Sequence, residues 1–158
     1  MEQQLSAASI ASARRGYTTS YTVEQSPAEV FAAIVNVPAW WTGQVEGTTH
    51  VVGAEFSYRH PPQHYSRQRV TELDVARRVV WQVVDSELSF VSEPAEWTGS
   101  EIIFEISPVS GGTELRFTHV GLVPDVECYG ACSAGWSHYV AGSLHSLITT
   151  GAGLPDPW

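Results

Sequence analysis

Asp125 to Gly151 reads DVECYGACSAGWSHYVAGSLHSLITTG, the one stretch whose helical period is sustained long enough to span a domain. At 3.6 residues per turn, Tyr129, Cys132, Trp136, Val140, Ser143, Leu144 and Leu147 share one side. His138 and His145 fall on the opposite side, where solvent is expected. At 1.5 Å per residue the run is roughly 35–40 Å long, about the width of a small domain. A single long amphipathic helix after a set of strands can bury its stripe only against a curved sheet, and that geometry favours a cavity beneath the helix.

The residues upstream supply the sheet. Gly16 to Gln25 alternates, with Tyr17, Thr19, Tyr21 and Val23 on one face, as a half-buried strand does. Ser26-Pro27-Ala28-Glu29 then reads as a helix start, with Ser26 as N-cap, Pro27 in the first position and Glu29 closing a capping box. Val30, Phe31 and Ile34 form the stripe of that short helix, Pro38 interrupts it, and a second short turn begins at Ala39-Trp40-Trp41-Thr42. Gln44–His50 and Ala54–His60 read as a hairpin, Pro61-Pro62 as a loop, and Tyr65–Leu73 and Arg77–Glu87 as two further strands. Ser100–Ser107 alternates Ile102, Phe104 and Ile106 against Glu101 and Glu105. Gly111-Gly112 turns into a last strand on which Leu115, Phe117 and His119 share a face. The expected architecture is α+β: a curved antiparallel sheet of six to seven strands wrapped around the C-terminal helix, with two short helices after the first strand. Residues 16–152 are expected to form one domain, with tails at 1–15 and 153–158.

Composition narrows the partners. Seventeen Asp and Glu against eight Lys and Arg leave a net charge of −9 in 158 residues, which repels phosphate; nucleic acid and anionic membrane are poor partners. No stretch approaches a membrane span. The start, MEQQLSAASIASARR, has Glu2 where a secretory signal is basic, so a cytoplasmic location is expected, with Cys128 and Cys132 as reduced thiols.

The order and wording of these segments resemble the helix-grip fold of the START-like (SRPBCC) superfamily. Ser26-Pro27-Ala28-Glu29-Val30-Phe31, Trp40-Trp41, Gly53-x-x-Phe56, Val79-Val80-Trp81, Gly112-Thr113-Glu114-Leu115 leading to Thr118-His119-x-Gly121-Leu122, and Gly135-Trp136 opening the long helix are similar to one branch of it. That branch is homologous to the activator of the ninety-kilodalton heat-shock chaperone ATPase, and the resemblance covers about residues 16 to 152. The His60-Pro61-Pro62-Gln63-His64 loop and the glycines Gly130 and Gly142 depart from its pattern. The resemblance implies a cavity that takes a small hydrophobic molecule, a stress-response role, or a chaperone partner.

Six Trp, six Tyr and five Phe exceed what a minimal core requires. With the strand faces as assigned, Tyr21, Trp81, Phe104, Phe117, His119, Trp136 and Val140 are the residues expected to contact a small hydrophobic or aromatic ligand. His119 is expected inside, holding a backbone or hydroxyl partner or orienting a ligand; a polyketide cyclase or hydrolase using it as a base is the rival reading. A chaperone-ATPase-stimulating interaction module is the other. His60 and His64 lack an evident third ligand for a metal, and no metal or cofactor is expected. No G-x-S-x-G elbow, phosphate-cradling glycine loop, H-E-x-x-H or C-x-x-C occurs, so no catalytic residue is assigned. Glu93, Glu96 and Glu101 gather near Trp97, either at a cavity mouth or on a solvated loop.

Overall fold

The structure, a computed structural model, describes residues 16–41, 44–60 and 64–154. The tail at 1–15, the Pro61-Pro62 loop and the last four residues lie outside them.

Seven antiparallel strands form one sheet: β1 (Gly16–Val23), β2 (Gln44–Gly47), β3 (Glu55–His60), β4 (His64–Asp74), β5 (Arg78–Leu88), β6 (Glu101–Val109) and β7 (Gly112–Val120), in the order β1-β7-β6-β5-β4-β3-β2. β2 to β7 run as a meander, each strand hydrogen-bonded to the next, as short connections dictate. β1 closes on β7 from the far edge, with Tyr21 opposite Leu115 and Tyr17 opposite His119. Helix α1 (Pro27–Val35) bridges β1 to the rest, and a single 3-10 turn (Val37–Ala39) follows it. Its capping box is formed as the spacing requires: the Glu29 N–H donates to Ser26 Oγ, and the Ser26 N–H donates to Glu29 Oε1.

Polar and apolar residues alternate because one face of the sheet is packed. Val79, Trp81, Val83, Ile102, Phe104, Leu115 and Phe117 are buried beneath the helices. On the other face arginines pair with carboxylates: Arg67 and Arg69 with Glu55, and Arg78 with Glu72 and Glu105. The β4–β5 ladder shifts register at Arg67/Gln68 and again at Val70/Glu72, bulges that bend the sheet around the helix.

The C-terminal helix is one run in three parts: α2 (Tyr129–Trp136), a π-helical segment (Ser137–Leu144) and α3 (His145–Thr150), ended by Gly151 in the left-handed conformation (φ +88) that suits glycine. The π segment corrects the helical wheel. Through Leu144 the buried face is the one the wheel gives, with Cys132, Trp136, Val140, Ser143 and Leu144 inside and Tyr139 among them. A ladder of i→i+5 bonds puts an extra residue into the turn, so beyond the segment the face has moved by about one residue: Ile148 is buried while Leu147 is only half-buried. His138 and His145 are half-buried instead of solvated: His138 packs on Tyr139 at 5.1 Å and His145 edge-on to Tyr21 at 4.9 Å. Two tyrosines of β1 hold this irregular stretch. Tyr17 Oη lies 2.5 Å from Ser137 Oγ, and Tyr21 Oη donates to the Val140 carbonyl at 2.8 Å. A hydroxyl inserted against the helix carbonyls is one recognised cause of such a distortion.

Candidate functional site

Five tryptophans make a continuous array between sheet and helices. Trp40, Trp41 and Trp81 stack nearly parallel at 6.1–6.3 Å, Trp41 meets Trp136 at 5.0 Å, and Trp136 stacks on Trp97 at 5.7 Å. Trp41 also lies flat on Tyr58, centroids 4.1 Å apart. The array is continuous because the tandem Trp40-Trp41 turns one ring into the core and the other toward the end of the helix. Trp40 is fixed there by its Nε1–H, which donates to the Ile34 carbonyl at 3.1 Å.

Where the array reaches the N-terminal part of the helix, the packing opens into a cavity of about 180 Å³. Trp41, Tyr58, His64, Trp97, Trp136 and Tyr139 form most of its wall, and Phe90, 42% exposed, stands at its rim. The β3–β4 hairpin supplies Tyr58, His60 and His64, the β5–β6 loop supplies Phe90 and Trp97, and the helix supplies residues from Ala131 to Tyr139.

Of the seven residues expected to contact a ligand, Trp136 lines this cavity. Trp81, Phe104 and Phe117 are fully buried and packed ring on ring, with Trp81 5.0 Å from Phe104 and Phe104 5.1 Å from Phe117. Tyr21 and Val140 are joined by their hydrogen bond and do not line it. His119 lies beneath it against Trp97 and Trp136. The physical reason is volume: the three adjacent central strands each turn one bulky ring inward, Trp81, Phe104 and Phe117, and these pack together and fill the space under the middle of the helix. Room remains at the start of the helix, where hairpin and loop meet it. Sequence reasoning did not place Trp41, Tyr58, His64, Phe90, Trp97 or Tyr139 at a site. The Trp-Trp pair and the two histidines flanking the prolines were visible, but nothing local says that they converge.

His119 has a defined role. Trp136 Nε1–H, which can only donate, is 3.0 Å from His119 Nδ1; Nδ1 therefore accepts, and the ring proton sits on Nε2. Nε2–H donates to Ser100 Oγ at 2.8 Å, and Ser100 donates on to the Trp97 carbonyl at 2.6 Å. One imidazole thus ties β7 to the helix and to the loop carrying Trp97. Burial, together with the nearby His64, pushes its pKa down to about 3, so it is neutral at physiological pH. Both nitrogens are occupied, which leaves no lone pair for proton transfer to a ligand. Glutamine, with one short amide, cannot span both partners. His119→Gln is expected to cost about 1–3 kcal/mol in urea unfolding, the range for orphaning a buried polar group. A loss below about 0.5 kcal/mol would mean that the bridge holds nothing.

Of the acidic residues near Trp97, Glu96 is a brace. Glu96 accepts from the backbone N–H of Glu127 (3.0 Å) and of Cys128 (3.1 Å), the residues that lead into α2, where unpaired N–H groups and the helix dipole favour a carboxylate. Glu127 in turn accepts from the Ser92 N–H at 2.9 Å. These bonds lash the β5–β6 loop to the helix start. Cys128 and Cys132 are both free thiols and buried; hydrogen bonding with Cys132 and burial push the Cys128 thiol well above its ordinary range. Among the described residues no three His, Cys, Asp or Glu side chains gather as a metal site, and no helix is long and apolar enough to cross a membrane.

A meander of antiparallel strands curled around one long C-terminal helix is the architecture of the START-like helix-grip proteins. Within that class, the chain belongs to the family described as activator of Hsp90 ATPase homolog 1-like protein, whose model matches residues 24–149. No curated protein matches the chain. Among solved structures it is similar to the Aha1 dimer of Colwellia psychrerythraea, at 25% identity and TM-score 0.70, over 88% of this chain and 99% of that one. It is also similar in fold to MLL2253 of Mesorhizobium loti (19%, TM-score 0.64, 80% and 92% covered). CalU16 of Micromonospora echinospora is a third such structure (15%, TM-score 0.60, 84% and 74% covered).

Proposed function

We propose that the protein binds a small, largely apolar aromatic molecule in the cavity at the start of the C-terminal helix. The observation that carries this reading is the wall itself: stacked and edge-on rings already held in place around about 180 Å³ of space. That is more room than the roughly 150 Å³ engineered cavity that takes up benzene, so one ring with a short substituent, or a compact pair of fused rings, fits. Burying about 250–300 Å² of such a ligand is worth roughly 6–8 kcal/mol at about 25 cal/mol/Å². Lost translational and rotational freedom removes a large part, which places affinities between about ten micromolar and a millimolar.

Gly135 provides the test. It lines the cavity, and a Cβ added there meets no atom within 4 Å. Gly135→Leu therefore puts a side chain into the ligand space while improving helix propensity by a few tenths of a kcal/mol or more. The variant is expected to fold with at least parental stability and to lose about tenfold or more in affinity for aromatic ligands, read by tryptophan fluorescence titration. Unchanged binding would place the ligand elsewhere.

A second reading, a module that stimulates a chaperone ATPase, is supported by the family and by the similarity to an Aha1 structure. The ATPase rate of a purified ninety-kilodalton heat-shock chaperone, with and without the protein, separates the two. A several-fold rise that Gly135→Leu leaves intact belongs to the interaction module alone.

A further inference from the structure

Resting on the ligand-binding reading above, we propose that His64 sets the specificity of the cavity by presenting an Nδ1–H donor, which selects neutral aromatic molecules bearing a carbonyl oxygen and rejects the corresponding carboxylates.

The tautomer follows from a relay on the inward face of β4. Gln68 Nε2 lies 2.5 Å and His64 Nε2 3.0 Å from the same hydroxyl, Ser66 Oγ. With its amide nitrogen toward Ser66, Gln68 donates; Ser66 is fully buried and has no other acceptor for its single hydroxyl proton among the described residues, so that proton goes to His64 Nε2. Ser66 and Gln68 are completely buried, which keeps water from replacing either bond. His64 Nε2 is then the acceptor, and the proton of the neutral ring is on Nδ1. Burial, with His60 beside it, pushes the His64 pKa down to about 3 and keeps the ring neutral.

Nδ1 has no hydrogen-bond partner among the described residues, and His64 forms part of the cavity wall. The ring itself is clamped by edge-to-face contacts with Trp97 at 4.5 Å, Tyr58 at 5.1 Å and Trp41 at 6.4 Å. A fixed, unsatisfied donor in an aromatic wall is satisfied by a ligand oxygen. The hydroxyls of Tyr58 and Tyr139, 3.3 Å apart, face each other. Among the described residues no arginine lines the cavity, and Arg67, Arg69 and Arg78 are paired with carboxylates on the outer face of the sheet. A carboxylate would enter a low-dielectric space without a counter-charge, in a protein already at −9. A carbonyl accepts the same hydrogen bond at a much smaller desolvation cost.

Acetophenone, cumene and benzoate share one heavy-atom skeleton and differ only in the atoms beside the ring, so calorimetric titration of the three at pH 8 isolates this donor. The intact protein is expected to bind acetophenone about three- to tenfold tighter than cumene, the range for one hydrogen bond, and to show no binding of benzoate. In His64→Phe, which keeps an edge-on ring, the ratio of acetophenone to cumene affinity should fall to about one, whatever the change in absolute affinity. A long-range ¹H–¹⁵N spectrum of the unmodified protein reads the tautomer directly and should show the His64 proton on Nδ1, even if the variant fails to fold. A proton on Nε2, equal binding of acetophenone and cumene, or firm binding of benzoate each overturns the assignment of His64 while leaving ligand binding standing. If none of the three compounds binds, the ligand-binding reading falls with it.

Discussion

Acid should unfold this protein between about pH 4 and 5, with close to two protons taken up by the pair of buried histidines. His64 and His119 both have pKa values lowered to about 3 from the ordinary 6.5, in each case mainly by burial. Because the folded values are depressed, the unfolded chain binds protons first as pH falls. The stabilising contribution is complete above pH 6.5 and is lost progressively on the way to pH 3. Each histidine then contributes a slope of about 1.4 kcal/mol per pH unit, so at pH 4.5 the pair has removed about 5 kcal/mol. That is the lower end of the total stability of an ordinary domain. Urea unfolding at a series of pH values measures the slope. A dependence of under about half a proton between pH 6 and 4.5 would show that the histidines are not held neutral. His64→Phe should remove about one proton from the slope and leave that of His119.

Replacing Trp136 with alanine is expected to be the most damaging single substitution in the helix, at about 3–5 kcal/mol. The indole touches Phe117 at 4.7 Å, Trp41 at 5.0 Å and Trp97 at 5.7 Å, so its removal opens a void at the junction of helix, sheet and loop. It also withdraws the donor that His119 Nδ1 accepts, and that nitrogen is fully buried. Trp136→Phe separates the two effects. It keeps a ring in the array but not the N–H, and should cost about 1–3 kcal/mol, the penalty for an orphaned buried acceptor. Equal losses for the two variants, measured by urea unfolding, would mean that the hydrogen bond outweighs the ring packing. Because Trp136 also lines the cavity, the alanine variant should lose aromatic ligands as well.

Local chemistry was legible in the sequence wherever a short-range pattern had one physical solution. The Ser26-Pro27-Ala28-Glu29 capping box formed as spaced, since both of its hydrogen bonds lie within four residues. The period-2 alternation of Ile102, Phe104 and Ile106, and of Leu115 and Phe117, named the buried face of β6 and β7, because a pleated strand leaves no other choice. His119 was placed inside by the same alternation, but its partners were not, since Trp136 and Ser100 are seventeen and nineteen residues away.

Two matters were decided by tertiary structure alone. One is the phase of the C-terminal helix. A wheel assumes one hydrogen-bond period throughout, whereas Tyr17 and Tyr21 reach from β1 to Ser137 and Val140 of a π segment, beyond which the buried position passes from Leu147 to Ile148. The other is the position of the cavity. Inward-facing rings are what the alternation identifies, yet whether rings leave space depends on how their volumes sum in three dimensions. Trp81, Phe104 and Phe117 fill the middle of the grip, while Trp41, Tyr58, His64 and Trp97, drawn from four separate segments, leave it open at one end. Which faces are buried was readable from the order of residues, because that is a property of each residue and its near neighbours. Where the buried faces fail to meet is a property of the packed whole.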